Sequence, residues 1–213
     1  MKILCAAACA VLLACDPAGF GQTQTLCEQA VDAPLHARAT LTIDSRPAGL
    51  EIVGTDKETL HVTCTTDDPE RARHVKLRYS GGTDNEAGGP TLKITDPYEQ
   101  HGNLQIRIEV PRKTNLRVQM GAGQVKVEDV AGDKAITLYA GQITISSDRE
   151  WDYRRIDASV DIGQVNAAAY GVNKGGFFRS FTKKNDSGEY RLYAHLLTGQ
   201  IELLGNNERA GSE

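Results

Sequence analysis

The chain has 213 residues, of which 40% are hydrophobic and 24% are charged, and its formal net charge is -4 at pH 7. This length fits one or two domains, and the hydrophobic content suffices for a packed core. The weakly acidic balance excludes both a basic nucleic-acid binder and a strongly acidic tail protein. Glycine occurs 21 times and proline 7 times, which favours many tight turns over a proline-rich linker.

The first 21 residues are typical of an export signal. A positively charged start is followed by an apolar run from Ile3 to Ala14. This run is shorter than the roughly 20 residues of a membrane span and matches the core of a secretory signal. Cleavage after Gly21 would leave Gln22 as the first residue. Alternatively, the sequence Leu-Leu-Ala-Cys resembles a bacterial lipobox, in which Cys15 would be lipidated. Both interpretations predict an exported protein that is periplasmic, on the outer surface or secreted.

Two of the five cysteines are predicted to form a disulfide. Three cysteines lie in or next to the signal, which leaves Cys27 and Cys64. An even number of cysteines in a chain that is sent to an oxidising compartment favours pairing. The alternative is that Cys64, in a strand candidate spanning 60–64, is a buried free thiol.

The rest of the chain is predicted to form a series of short strands. The clearest pattern lies in the stretch 103–146, where apolar and polar residues alternate in five successive strand candidates. Such alternation places the apolar side chains of each strand on one face. We divide the chain into a signal peptide, 1–21, an N-terminal arm, 22–38, a β domain, 39–204, and a disordered tail, 205–213.

A Gly-Gln step followed by Val or Ile occurs four times in the β domain. Its residues are Gly123, Gln124, Gly141, Gln142, Gly163, Gln164, Gly199 and Gln200, at spacings of 18, 22 and 36 residues. A period of about 20 is typical of a solenoid, in which small units stack and share a core. Glycine permits the positive φ angles of a sharp corner. These features predict an all-β fold, a parallel β-solenoid (β-helix) of short strands with glycine corners. The alternative is an antiparallel β-sandwich with these glycines in hairpins.

Four runs in this domain resemble a known family: LEIVGTD (50–56), IEVPRKTNLRV (108–118), GAGQVKV (121–127) and VAGD (130–133). They are similar to the bacterial putative-adhesin β-strand-repeat family of unknown function, which is related to the head domains of autotransporter adhesins. The resemblance implies a right-handed β-solenoid and an exported protein, and it carries over no catalytic residues. Many members have Gly-Asp or Gly-Ser where this chain has Gly-Gln.

The sequence offers no recognisable active-site motif. It contains no Gly-x-Ser-x-Gly, no His-Glu-x-x-His, no phosphate loop and no Cys-x-x-Cys. A polysaccharide-active β-helix is the enzyme alternative, and glycoside hydrolysis would need two carboxylates about 5–10 Å apart. Asp157 and Asp161 both point outward from one strand candidate, but their Cα atoms would lie about 13 Å apart. We therefore expect no enzyme activity, no cofactor and no metal site.

A break in the strand pattern at residues 170–188 is the candidate binding loop. It combines aromatic and basic residues: Lys174, Phe177, Phe178, Arg179, Phe181, Lys183 and Lys184. Such a mixture could dock an anionic glycan, a membrane surface or a partner chain. The alternative is that the phenylalanines cover the core while the charges keep the loop soluble.

The sequence thus predicts a non-enzymatic exported module, either an adhesin-like binding protein or a cell-envelope surface protein. The rows of outward polar residues in a solenoid suit an extended partner, such as a glycan or an envelope protein. Nucleic acid is not expected, and a membrane would be reached only through a lipid anchor. The alternatives are a structural or regulatory envelope protein that docks a membrane partner, and a polysaccharide-active enzyme.

Overall fold

The computed structural model describes residues 22–27, 29–46, 48–81, 89–97, 104–146 and 152–205. Nearly all regular structure in these ranges is β-strand, which confirms the predicted all-β fold. One short helix, α1 (Pro69–Ala72), and one 3-10 turn, Ala168–Tyr170, are also present there. None of the described helices is long and apolar enough to cross a membrane. The predicted signal peptide and residues 206–213 of the predicted tail lie outside the described residues.

Thirteen strands in the described part of the chain form one mixed sheet. They are β1 (Gln22–Leu26), β2 (Val31–Pro34), β3 (Thr40–Ser45), β4 (Ala48–Thr55), β5 (Thr59–Thr65), β6 (Lys76–Ser80), β7 (Thr91–Thr95), β8 (Gln105–Pro111), β9 (Asn115–Glu128), β10 (Lys134–Ser146), β11 (Tyr153–Ala167), β12 (Val172–Lys184) and β13 (Tyr190–Leu204). The stretch 22–38, predicted as an arm, therefore contributes two strands to the sheet.

The long strands bend at their glycine corners and form two layers. Strand β9 has 14 residues and would be about 46 Å long if it were straight. Strand β10 pairs with it in parallel, so residues 129–133 must return the chain to the starting end. Five residues span at most about 20 Å. The second half of β9 therefore runs back beside the first, which agrees with the pairing of β3 to 115–120 and of β4 to 123–128.

The core lies between the two layers. Alternate side chains of each strand point inward and form one hydrophobic cluster. In β10, for example, Ile136, Leu138, Ile143 and Ile145 are buried. The predicted inward rows are thus present, and the two rows of a strand are separated by its four corner residues, 139–142.

Four long strands run parallel and in register, but not in chain order. Their order across the sheet is β9-β10-β13-β11, and Gly123, Gly141, Gly199 and Gly163 lie at matching positions. After β11 the chain turns back as β12, which forms an antiparallel hairpin with β11. The chain then returns as β13, which pairs in parallel with both β10 and β11. Placed between two parallel neighbours, β13 forms hydrogen bonds along both of its edges.

The prediction of a purely parallel sheet is wrong. Strand β12 is antiparallel to β11, and β1, β2, β5, β6 and β7 also form antiparallel pairs. The physical reason is that antiparallel pairs complete both ends of the sheet, while parallel pairing is confined to its middle. The segment 170–188, predicted as a loop, holds the 13-residue edge strand β12.

The end of the sheet opposite β12 is closed by a covalent bond and an ion pair. Cys27, directly after β1, forms a disulfide with Cys64 in β5. Helix α1 contributes Arg71, whose guanidinium donates to the carboxylate of Asp96 after β7. Both side chains are buried, so each charge depends on the other for compensation.

Candidate functional site

The corner glycines are required by the backbone that stacks against them. Gly141 has a φ of 131°, and a Cβ there would lie 1.8 Å from the carbonyl oxygen of Gly123. The same contact recurs up the stack, because Gly199 approaches the carbonyl of Gly141 and Gly163 approaches that of Gly199. Only glycine combines a positive φ with so close an approach. The corner therefore keeps its shape from strand to strand.

The missing side chains leave a trough that crosses five strands. We call it the Gly-Gln trough; it has a volume of about 750 Å³ and is lined by Gly123, Gln124, Gly141, Gln142, Gly163, Gln164, Gly175, Gly176, Gly199 and Gln200. All eight predicted corner residues line it, together with two glycines of β12. At a strand spacing of about 4.8 Å, the trough is roughly 19 Å long. It runs perpendicular to the strands.

One wall of the trough is a row of glutamine amides that are held by neighbouring polar groups. Gln142 Nε2 donates to Glu202 Oε2 at 3.0 Å, and Gln200 Nε2 donates to Glu202 Oε1 at 2.5 Å. Gln164 Nε2 donates to Asn173 Oδ1 at 2.7 Å. Each amide carries donors and acceptors. The wall can therefore exchange hydrogen bonds with a polar ligand at regular intervals.

The other side of the trough is bordered by large exposed apolar side chains. We call this row the corner ridge; its members are Tyr139, Ile162, Phe177, Phe178 and Leu197. They lie one or two residues from the corner glycines of β10, β11, β12 and β13, and Ile162 is directly opposite Phe177. Phe177 and Phe178 are 67% and 80% exposed. An exposed apolar row of this kind, rimmed by polar groups, is typical of an interaction surface.

The predicted aromatic and basic residues of β12 are divided between two roles. Phe181 is buried, and its ring stacks on Tyr170 with centroids 5.3 Å apart. The ammonium of Lys183 lies 4.1 Å from the centroid of the Tyr170 ring. These residues cover the core, as one sequence alternative expects. Phe177 and Phe178 instead face outward, as the binding alternative expects. Lys184 is exposed at the end of the strand.

The corner of β12 presents the two phenylalanines. Phe178 has a φ of 51°, which is unusual for a bulky residue. Two cations brace this corner: Arg179 Nε donates to the carbonyl of Gly175 at 2.7 Å, and Lys174 Nζ donates to that of Ser180 at 3.1 Å. Backbone strain of this kind concentrates at functional sites.

The described residues form no recognisable catalytic centre. Arg155 donates to Asp157 at 2.5 Å and holds the pKa of that carboxyl below its usual range, so Asp157 is a poor general acid. Ser159 Oγ lies 3.0 Å from His195 Nδ1, but both residues lie on the outward side of a sheet layer rather than in the trough. No group of three or more metal-ligating side chains occurs within the described ranges.

Lys134 is a buried cation that escaped the sequence analysis. Lys134 Nζ donates to the carbonyls of Val130 and Gly132 at 2.5 and 3.0 Å, and also to the hydroxyl of Tyr153. Burial lowers the pKa of Lys134 to about 7. The sequence did indicate a buried lysine, because Lys134 lies at an inward-facing position of β10, in the same alternating row as Ile136 and Leu138. Its role is structural: it ties the return turn to the start of the strand.

Comparison with known proteins supports the fold. No family model matches the chain, and no curated protein matches it. The structure is similar to a putative cell adhesion protein from Clostridium sporogenes, with 11% identity, a TM-score of 0.55, and coverage of 84% of this chain and 99% of that chain. It is less similar to a putative adhesin from Bacteroides fragilis, with 11% identity, a TM-score of 0.26, and coverage of 83% and 96%. At this identity the first similarity shows the fold alone, and the second carries no argument.

Proposed function

We propose that this protein is an exported, non-enzymatic, adhesin-like module that binds an extended partner along the Gly-Gln trough. The observation that carries the proposal is the trough itself, which crosses five strands between an amide wall and an apolar ridge. A compact ligand would use only part of such a length. The C. sporogenes protein of similar fold is described as a putative cell adhesion protein, which agrees with this role.

The proposed architecture behind this surface is a short β-solenoid within a mixed sheet. In this view the parallel strands β9, β10, β13 and β11 act as stacked coils, and the repeat generates one amide and one glycine per coil. Export is part of the proposal. It is supported by the signal-like N-terminus and by the disulfide, because disulfides persist in oxidising compartments.

A second candidate is an envelope protein that docks a membrane protein through the corner ridge. The exposure of Phe177 and Phe178 favours it. The two candidates differ in the surface that they use: an extended polar partner needs the glutamine wall, whereas an apolar docking partner needs only the ridge.

A double variant, Gln142→Ala/Gln200→Ala, tests the proposed function. Binding of the purified protein to immobilised polysaccharides and to bacterial envelope fractions is measured for the wild type and the variant. We expect binding to fall about tenfold or more, because two hydrogen-bonding amides are removed at about 1 kcal/mol each. Gln119→Ala removes an exposed amide of β9 outside the trough and is the matched control. Unchanged binding of the double variant would contradict the proposal.

A further inference from the structure

We propose that the extended partner is an acidic linear polysaccharide and that Arg179 binds one of its carboxylates at the β12 end of the trough. This inference rests on the proposed function and adds the chemical class of the ligand. It is carried by the position of Arg179, by the distribution of charge along the trough, and by the aromatic side chains beside it.

The guanidinium of Arg179 lies at one end of the trough. Gly176 lines the trough, and a Cβ built on Gly176 would lie 2.8 Å from Arg179 Nη2. The Nε donates to the carbonyl of Gly175, which fixes the direction of the side chain. A guanidinium is a planar fork of donors that matches a carboxylate. The guanidinium of Arg179 is thus held at the end of the trough, where it can donate to an acidic group of a bound polysaccharide.

Charge is distributed unevenly along the trough. Beside the trough, β12 carries Lys174 and Arg179, and residues 172–184 contain no aspartate or glutamate. At the opposite end, Lys126 of β9 is engaged by Glu51 and Glu128. In the middle, both carboxylate oxygens of Glu202 accept from glutamine amides. Asp161 of β11 lies near the β12 end, but Lys174 and Arg179 outnumber it there. The most favourable place for a negative group on the ligand is therefore the β12 end.

The ridge provides apolar faces that suit sugar rings. Tyr139, Phe177 and Phe178 are exposed beside the amide wall, so a ligand in the trough would meet rings on one side and hydrogen-bonding groups on the other. Carbohydrates present this combination, with C–H faces and hydroxyl edges. Because hydrogen bonds from Lys174 and Arg179 brace the corner of β12, the two phenylalanines are pre-positioned, and less conformational entropy is lost on binding.

Three other classes of partner fit these residues less well. A bilayer pressed on the ridge would bury Asp161, which lies opposite Phe178 in the β11–β12 hairpin, and would desolvate the adjacent amides at a cost. A single-stranded nucleic acid would need cations along the whole path of its backbone. A peptide strand adds along the edge of a sheet, whereas the trough runs across the strands.

The test uses polygalacturonate and its fully methyl-esterified form, which share a backbone and differ in charge. Affinities of the full chain for both polymers are measured by calorimetry at low and moderate salt. We expect the acidic form to bind about tenfold more tightly, since it alone offers Arg179 a charge-assisted hydrogen bond, and the preference to weaken with salt. Arg179→Gln should remove the preference for the acidic form, so that the variant binds both polymers with the same affinity.

Controls and alternative outcomes separate this inference from the proposed function. Arg73→Gln removes an exposed cation directly after α1, far from the trough, and should keep the preference. Equal binding of both polymers by the wild type, still weakened by Gln142→Ala/Gln200→Ala, would overturn the inference and leave the proposed function in place. Binding to neither polymer, with tight binding to phosphatidylglycerol vesicles, would overturn it in favour of a membrane. If Arg179→Gln does not fold, the wild-type ratio of the two affinities decides.

Discussion

Gly141 shows how a single residue determines the shape of the corner. Its φ of 131° lies in the region that favours glycine, and its α-carbon faces the carbonyl oxygen of Gly123 on the neighbouring strand. A side chain there would be strained by its backbone angle and would also collide with a backbone atom. Because that carbonyl belongs to the next corner of the stack, the collision could not be relieved by moving a flexible side chain.

Gly141→Ala should therefore destabilise the protein strongly. Backbone strain alone costs roughly 1–3 kcal/mol, and the contact with the Gly123 carbonyl adds to it, so we expect a loss of about 3 kcal/mol or more. The free energy of unfolding in urea measures the effect. Gly121→Ala is the control, because a Cβ at Gly121 meets nothing within 4 Å. Equal unfolding midpoints for the two variants would contradict this account.

The sequence predicted the corner residues because their physical requirement is local. A positive φ and a close backbone contact both demand glycine, and the same dipeptide marks each corner. The ridge was predicted only in part. Phe177 and Phe178 were identified by their aromatic and basic neighbours, but Tyr139, Ile162 and Leu197 occur in ordinary alternating strands. Only the register of four strands brings them into one row.

At the scale of an element, β12 is an edge strand that carries charge where its neighbours carry core residues. Lys174 lies opposite Val165, and Arg179 lies opposite Val160, both of which are buried. Among the described strands, β12 pairs with β11 alone. Charged side chains on an edge strand hinder the edge from pairing with another molecule. These two cations therefore limit the growth of the sheet as well as bracing the corner of β12.

Lys174→Val/Arg179→Val should cause self-association. The substitutions extend the inward apolar rows of β11 onto the edge strand, which would then offer unpaired backbone groups next to an apolar face. Sedimentation velocity should show dimers or larger species at concentrations where the wild type does not associate. The control is Lys93→Val/Lys184→Val, which replaces two exposed lysines by valines away from these inward rows. It should sediment as the wild type does. A double variant that sediments like the wild type would contradict this role for the edge charges.

The order of the elements was harder to predict than their existence. The spacing of 18 residues between Gly123 and Gly141 corresponds to adjacent parallel strands, as a solenoid expects. The longer spacings to Gly163 and Gly199 do not reveal that β13 enters between β10 and β11. The placement of β13 depends on the distance between the facing edges of β10 and β11, which must leave room for one strand. It is a property of the assembled sheet that no local pattern encodes.

The whole molecule has two unlike ends. At one end, the disulfide joins β1, which pairs with β6 in the first layer, to β5, which pairs with β8 in the second layer. At the other end, Phe181 of β12 and Tyr170 cover the core, and β12 also carries the cations Lys174 and Arg179. The trough runs from β9 to β12, so it lies toward the end of the molecule that has no disulfide.

Reduction of the disulfide should lower stability without weakening binding in the trough. The bridge spans a sequence separation of 37, for which the chain-entropy model gives about 4 kcal/mol, a large share of the roughly 5–15 kcal/mol that stabilises most domains. Urea unfolding with and without reductant measures the loss. Cys27→Ala/Cys64→Ala should unfold at the lower midpoint regardless of reductant. Ligand affinity below the unfolding transition should stay unchanged, because neither β1 nor β5 borders the trough. A parallel loss of affinity would mean that the two ends are coupled through the shared core.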